Sequence, residues 1–160
     1  MIIPFIYNNH NREKAEGVSI SLIGNTNYIM ESSGKECRHT DCTGLQIAIG
    51  ANSFRNFSGL EIAALCNAND STNGIAIGGI NWTDSFNGVS IGGINCTDLF
   101  KGVSLGLINR AKGNNGFAVQ IGAMNIIKEY DGESRVLQIG VYNRVGNRSS
   151  PFINFYNPKN

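Results

Sequence analysis

The residues best suited to bind a metal ion are gathered in one short segment, 37–42. It reads Cys-Arg-His-Thr-Asp-Cys and so places two thiols, an imidazole and a carboxylate close together. Thiolate and imidazole are the ligands that zinc prefers, and His10 could add another. The spacing, however, matches no common zinc signature, and a second cysteine pair is missing. We therefore predict no metal site and no cofactor. Cys37, His39 and Cys42 are the weak candidates, and a free or locally oxidised pair of loop thiols is the alternative.

Other catalytic arrangements are missing from the sequence. There is no nucleophile elbow and no phosphate-binding glycine loop that leads into a helix. Neither His10 nor His39 stands in the sequence context of a catalytic triad. We therefore expect a protein that is not an enzyme.

Charge and composition exclude several further classes of protein. Thirteen Lys+Arg against twelve Asp+Glu give a formal charge of +1, too little to hold a nucleic-acid backbone. Residues 1–7 are apolar but contain a proline and lack a basic leader, so they do not resemble a signal peptide. No later apolar run is long enough to cross a bilayer. We expect a cytoplasmic protein without membrane insertion, with the cell surface as the alternative location.

A tandem repeat of about fourteen residues dominates the sequence. Three copies, beginning at Gly74, Gly88 and Gly102, share the pattern Gly-x-x-x-Gly-x-Ile-Asn at a spacing of fourteen. Looser copies extend the repeat on both sides, from about Gly17 to Asn143. Apolar and small residues alternate in each copy, which is typical of a strand with one buried face.

Short units that all repeat in the same sense predict an all-β, single-domain parallel β-solenoid with coils of about fourteen residues and capped ends. The main alternative is a chain of antiparallel hairpins. The predicted parts are an N-terminal cap at 1–16, repeats at 17–143 with insertions at 26–43 and 126–134, and a C-terminal cap at 144–160.

Equivalent residues of a solenoid stack into columns, one per strand spacing of about 4.8 Å. We predict that Val89, Ile91 and Ile94 point inward. Gly88 is expected at a corner where a positive φ or a crowded backbone excludes other residues. The asparagines that end each copy are expected to stack and to hydrogen bond to one another. These are Asn52, Asn67, Asn81, Asn95, Asn109, Asn125 and Asn143.

With those side chains inside, the outward side of the strand would be almost bare. The predicted strip consists of Ala76, Gly78, Ser90, Gly92, Ser104 and Gly106. A flat surface of this kind can pack closely against a second copy, and soluble proteins rarely leave it uncovered. We therefore expect a homo-oligomer, specifically a dimer, and we expect the substitution Ser90→Lys to disrupt it.

The repeat Gly-Val-x-Ile-Gly-x-Ile-Asn, with a tail that begins Pro-Phe-Ile-Asn-Phe at Pro151, resembles the uncharacterised surface-repeat proteins of bacteria and archaea that carry GVQIGLIN-type repeats. The resemblance covers the chain from about Gly17 to Tyr156. It implies exposure at a cell surface, and it supplies neither an assigned activity nor a catalytic residue.

The residues themselves predict a non-enzymatic structural or protein-interaction module. It would be a rigid β-solenoid that self-associates or presents its loops to a protein partner. The alternative is a binding protein for a repetitive ligand, a glycan or an ice lattice, that uses regular side-chain columns. Thr83 and Thr97 would belong to such a column.

Overall fold

The computed structural model describes residues 14–21, 24–26 and 41–157. All the regular secondary structure in these ranges is β-strand, which confirms the predicted all-β class. The strands are β1 (Lys14–Ser21), β2 (Gly24–Thr26), β3 (Asp41–Ala48), β4 (Ala51–Ile121), β5 (Met124–Ile127), β6 (Arg135–Val145) and β7 (Arg148–Tyr156).

The strands stack in parallel as successive turns of one solenoid. β1 pairs with β3, β3 with β4, and β4 with both β5 and β6, all in parallel. β4 is a continuous extended run of 71 residues that passes through several turns and stacks on itself. Within the described ranges only the last pair, β6 with β7, is antiparallel. The parallel β-solenoid is therefore confirmed, and the hairpin alternative is wrong.

A ladder of asparagine amides runs along the solenoid, as predicted. From Asn52 to Asn143 each Nδ2 donates to the Oδ1 of the next asparagine, at 2.8 to 2.9 Å over six steps. Each of these six donors also donates to a backbone carbonyl of the next coil, as Asn81 does to Ile91 at 3.0 Å. Three steps are 14 residues long and the others are 15, 16 and 18. Fourteen is thus the shortest coil, and the 27-residue step from Gly17 to Gly44 brings the average to roughly 17.

The leading glycine of each repeat lies at a tight corner, again as predicted. Gly88 has a φ of +138°, and the corresponding glycines from Gly17 to Gly102 have φ between +124° and +142°. A Cβ added at Gly88 would lie 1.9 Å from the carbonyl oxygen of Gly74 in the coil below. Both the backbone conformation and the close stacking therefore require glycine.

The side chains that face inward are the opposite of those predicted. Ser90 is 3% exposed, whereas Ile91 and Ile94 are each 36% exposed and Val89 is only partly buried. The prediction that Val89, Ile91 and Ile94 point inward is therefore wrong. The physical reason is space, because the amide ladder fills the interior and a Cβ at Gly92 would already lie 2.9 Å from an asparagine nitrogen. Large apolar side chains fit only on the outside.

Aromatic rings and small polar groups form the interior instead. The hydroxyl of Ser90 donates to Oδ1 of Asn95 at 2.7 Å, and the next coil repeats this contact. Phe86 and Phe100 stack with their ring centroids 6.1 Å apart. The core is thus narrow, and its apolar part combines stacked phenylalanine rings with alanine and a few valine and isoleucine side chains.

The predicted insertions are shorter than expected. Asp41–Ala48 already forms β3, and Ile126 and Ile127 belong to β5, so the second insertion is limited to 128–134. Its tip is held by Asp131, whose carboxylate accepts hydrogen bonds from the backbone N–H groups of Glu133 and Ser134.

The structure describes most of the C-terminal end of the chain but only part of the N-terminal end. β7 runs antiparallel along β6 and covers the last coil, in the place predicted for the C-terminal cap. The ring of Tyr130 packs on Tyr156, with centroids 5.3 Å apart, and so connects the second insertion to this cap. Of the predicted N-terminal cap, residues 14–16 belong to β1 and the rest lies outside the described residues, as does 27–40.

Candidate functional site

The strip predicted for self-association lies inside the solenoid. Ala76, Ser90 and Ser104 are only 1 to 3% exposed. The glycines of the strip line the amide ladder, and at Gly92 an added Cβ would also lie 2.6 Å from a backbone oxygen. The prediction that this strip contacts a second copy is therefore wrong, because its residues are small in order to leave room for the ladder. The correction applies to Ala76, Gly78, Ser90, Gly92, Ser104 and Gly106.

The outside of the same sheet is a continuous apolar surface. The register pairs Leu45 with Leu60 and, further along, Ile121 with Ile139, and the stacked glycines carry that register through β4. Apolar side chains therefore form two columns, which we call the outer face. The first column contains Leu45, Leu60, Ile75, Val89, Val103, Val119 and Leu137, and the second contains Ile47, Ile62, Ile77, Ile91, Leu105, Ile121 and Ile139.

The outer face is only partly exposed, down to 9% at Val119, and it carries no charge. Ile75, Ile121 and Ile139 are each 40% exposed. A third apolar column runs beside it, with 36 to 41% exposure at every member. This third column consists of Ile80, Ile94, Ile108, Met124 and Tyr142. Sequence reasoning placed several of these residues in the core because apolar side chains are usually buried.

Both ends of the chain prolong the outer face. Val18 and Ile20 of β1 align with its two columns and are 57% and 62% exposed. At the other end, Ile153 and Phe155 of β7 align with the same columns and are 61% and 65% exposed. The outer face spans nine layers at about 4.8 Å, and with the adjoining third column it is about six residues across, which gives an apolar surface of at most roughly 800 Å². Monomeric soluble proteins rarely expose a contiguous patch of that size, so the outer face is a candidate interaction surface.

A buried carboxylate interrupts the interior near β3. Glu61 is fully buried, and the amide nitrogen of Asn69 donates to both of its oxygens, at 2.8 and 3.0 Å. The hydroxyl of Thr72 approaches Oε1 at 3.5 Å. Burial raises the pKa of Glu61 to about 7, although these hydrogen bonds oppose the shift. No basic side chain takes part in these contacts, so the carboxylic acid is the favoured form below about pH 7 in the folded protein.

Glu61 makes the stability of the protein fall as the pH rises. Its folded-state pKa of about 7 lies above the ordinary value of 4.5, so the folded state binds the extra proton between these pH values. That stabilisation is complete below pH 4.5 and is lost as the pH rises through 7, with a loss of about 3 kcal/mol. Glu61→Gln, which keeps an acceptor for Asn69, is expected to abolish this loss.

The measurement is the free energy of unfolding by urea at several pH values between 4.5 and 8.5, for wild type and Glu61→Gln. Glutamine occurs naturally at the paired position Gln46, so the variant keeps a residue type that this interior accepts. The difference between the two proteins should grow with pH. Curves that stay parallel would show that Glu61 does not titrate in the folded state.

The candidate metal ligands are only partly described. Cys37 and His39 lie outside the described residues. Cys42 is 2% exposed, and its sulfur accepts a hydrogen bond from Gln46 Nε2 at 3.1 Å. Burial, with a smaller contribution from the Glu61 carboxylate, raises the pKa of Cys42 to about 11 and so disfavours a metal-binding thiolate. No cluster of three metal-ligating side chains occurs in the part of the chain that the structure describes.

The threonines suggested for a repetitive ligand do not form a surface row. Thr83 is 3% exposed, and Thr97 is partly buried with its hydroxyl directed at the carbonyl of Leu99. Both line an interior cavity of about 10 Å³, which has room for about one water molecule. Thr83 is therefore too buried to contact a glycan or an ice lattice, so Thr83 and Thr97 do not form the predicted surface column.

Throughout 14–21, 24–26 and 41–157, no helix has the length and apolar character needed to span a membrane.

Comparisons with known proteins give no family for this chain. No protein-family model matches the sequence, and neither a curated protein nor a solved structure is detectably similar to it.

Proposed function

We propose that this protein is a non-enzymatic structural or protein-interaction module, a rigid β-solenoid that uses its outer face as the contact surface. The observation that carries the proposal is the partial exposure of two long, uncharged apolar columns on one sheet face, four members of which are 36 to 40% exposed. An apolar surface of this size is stabilised when another surface excludes water from it. The resemblance to GVQIGLIN-type surface repeats belongs to the same proposal, because the Val-x-Ile part of that unit forms these columns.

The rigidity of the scaffold favours a binding role. The amide ladder and the stacked glycine corners fix each coil on the next, so the columns cannot easily separate. Many side chains of the outer face are isoleucine or valine, which have few rotamers to lose. Binding a partner would therefore cost little side-chain conformational entropy, and a small entropy cost favours affinity.

The proposal predicts that the outer face becomes protected from solvent when the protein associates. Met124 and Tyr142, in the column beside the outer face, are 39% and 41% exposed and react readily with hydroxyl radicals. Their oxidation should fall severalfold between nanomolar and micromolar protein, or when dilute protein is added to host extract. Ile91→Lys, which places a charge at the middle of the outer face, should remove that protection.

Leu99→Lys provides the matched control. Leu99 is 49% exposed and belongs to the same coil as Ile91, but it lies outside the outer face. This variant should keep the protection seen in wild type. If Met124 and Tyr142 are oxidised equally at every concentration and in extract, the outer face is not a contact surface and the proposal fails.

A further inference from the structure

We infer that the outer face binds a second copy of this chain, face to face, with the two solenoid axes antiparallel. This inference rests on the proposed function and adds the identity and the direction of the partner. A twofold axis perpendicular to the solenoid axes relates the two copies, so each outer face is buried by its own counterpart.

The size of the outer face suits a dimer. Together with the third column, its area of at most roughly 800 Å² per copy is close to what each partner contributes to a standard stable interface, which buries about 1,600 Å² in total. A smaller patch would fit a transient partner, and a much larger one would be needed for an extensive obligate assembly. Two sheets packed in this way would lie about 10 Å apart, the normal distance in a β-sandwich.

The chemistry of the outer face also fits a second copy. Neither column contains a charged residue or a hydrogen-bonding side chain along its whole length. A charged or strongly polar partner would lose hydration on this surface without gaining a contact. Another outer face, by contrast, offers apolar ridges at the same spacing of about 4.8 Å, because both copies are built from the same stacked strands.

The charges along the rod favour the antiparallel direction. Residues 41–100 contain one basic and five acidic residues, a formal charge of −4, or −3 when the buried Glu61 is protonated. Residues 101–157 contain seven basic and three acidic residues, a formal charge of +4. In an antiparallel dimer the acidic half of each copy lies beside the basic half of the other, whereas a parallel dimer brings like halves together.

The basic residues nearest the outer face strengthen this preference. Lys101 and Arg135 come directly before the strand segments that carry the first column, and Arg110 and Arg144 follow the amide ladder. All four are exposed and belong to the basic half. A parallel dimer would place all eight of these basic residues, four from each copy, at the same end, where they repel one another. An antiparallel dimer places four at each end.

The test combines mass and distance measurements on the purified full chain. Light scattering at micromolar concentration should give twice the 17.3 kDa chain mass. Ile91→Lys and Ile121→Lys should halve that mass while circular dichroism remains that of the folded protein, and Leu99→Lys should leave it doubled. For direction, an unnatural ketone amino acid at position 147 carries a nitroxide label, which leaves the cysteines unchanged. Label separations above about 35 Å indicate antiparallel rods, and separations below about 25 Å indicate parallel rods.

Each other outcome overturns a defined part of the account. A monomer whose Met124 is nevertheless protected in host extract, or on neutral lipid vesicles, refutes the second copy and leaves the proposed function standing. A dimer with short label separations refutes the antiparallel direction. A dimer that Ile91→Lys and Ile121→Lys do not dissociate refutes the outer face as the interface.

Discussion

Ser90→Lys is expected to unfold the protein, whereas Ile91→Lys is expected to leave it folded. Ser90 is 3% exposed and its hydroxyl bonds to the amide ladder, so a lysine there would bury an ammonium group without a partner. A buried unpaired charge costs at least about 5 kcal/mol, which is comparable with the whole stability of a small domain. At Ile91 the lysine reaches water, and the expected loss is about 1 kcal/mol.

The measurement is urea unfolding followed by circular dichroism, with Ser90→Ala as the control. Alanine occurs naturally in the same column at Ala76, so this variant should lose only about 1 kcal/mol with the missing hydrogen bond. If Ser90→Lys folds normally while Ile91→Lys unfolds, the side chain of Ile91 points into the solenoid and that of Ser90 points out. The outer face would then not exist.

Gly88→Ala is expected to cost about 4 kcal/mol or more and to prevent regular stacking. The new Cβ would lie 1.9 Å from the carbonyl oxygen of Gly74, and φ is +138°. Because the contact is with backbone, no side chain can move to relieve it. The coils would have to separate and break the ladder between Asn81 and Asn95.

Gly17→Ala separates the two causes. Gly17 has a φ of +128°, close to that of Gly88, but an added Cβ would meet nothing within 4 Å among the described residues. This variant therefore introduces the backbone strain without a contact to the described residues, and we expect it to cost about 2 kcal/mol. Equal costs at the two positions, measured by urea unfolding, would show that stacking at the corner is not tight.

The period of the sequence was sufficient to predict the fold. Identical residues fourteen apart required parallel stacking, because antiparallel hairpins would not place like residues in one column. The same reasoning predicted the amide ladder through Asn81 and Asn95 and the glycine corner at Gly88. Longer steps of 15, 16 and 18 residues arise from loops that a strict period cannot show.

Alternation alone could not show which side of the strand points into the solenoid. Alternation shows that Ser90 and Gly92 share one face and Val89 and Ile91 the other, but either set can be inside. The usual preference for buried aliphatic side chains selected the wrong set. One signal pointed the other way, since five of the seven ladder asparagines have a glycine three residues before them, as expected when both columns share a narrow interior.

Single departures from the repeat were also beyond prediction. Glu61 occupies a position where neighbouring coils have glutamine, alanine or serine, and its pKa depends on Asn69 and Thr72 folding over it. Asn114 is 6% exposed and neither its oxygen nor its nitrogen has a hydrogen-bond partner. Such features depend on which coil lies above and below, and insertions of variable length hide that register.

The most direct test of the account compares cysteines placed at positions 90 and 91 in the folded protein at nanomolar concentration. Site-resolved mass spectrometry gives the rate at which each reacts with a soluble thiol reagent. We expect Ile91→Cys to react quickly, and Ser90→Cys to react only as fast as the protein unfolds. Rapid reaction at position 90 with protection at position 91 would place the aliphatic columns inside and contradict the account.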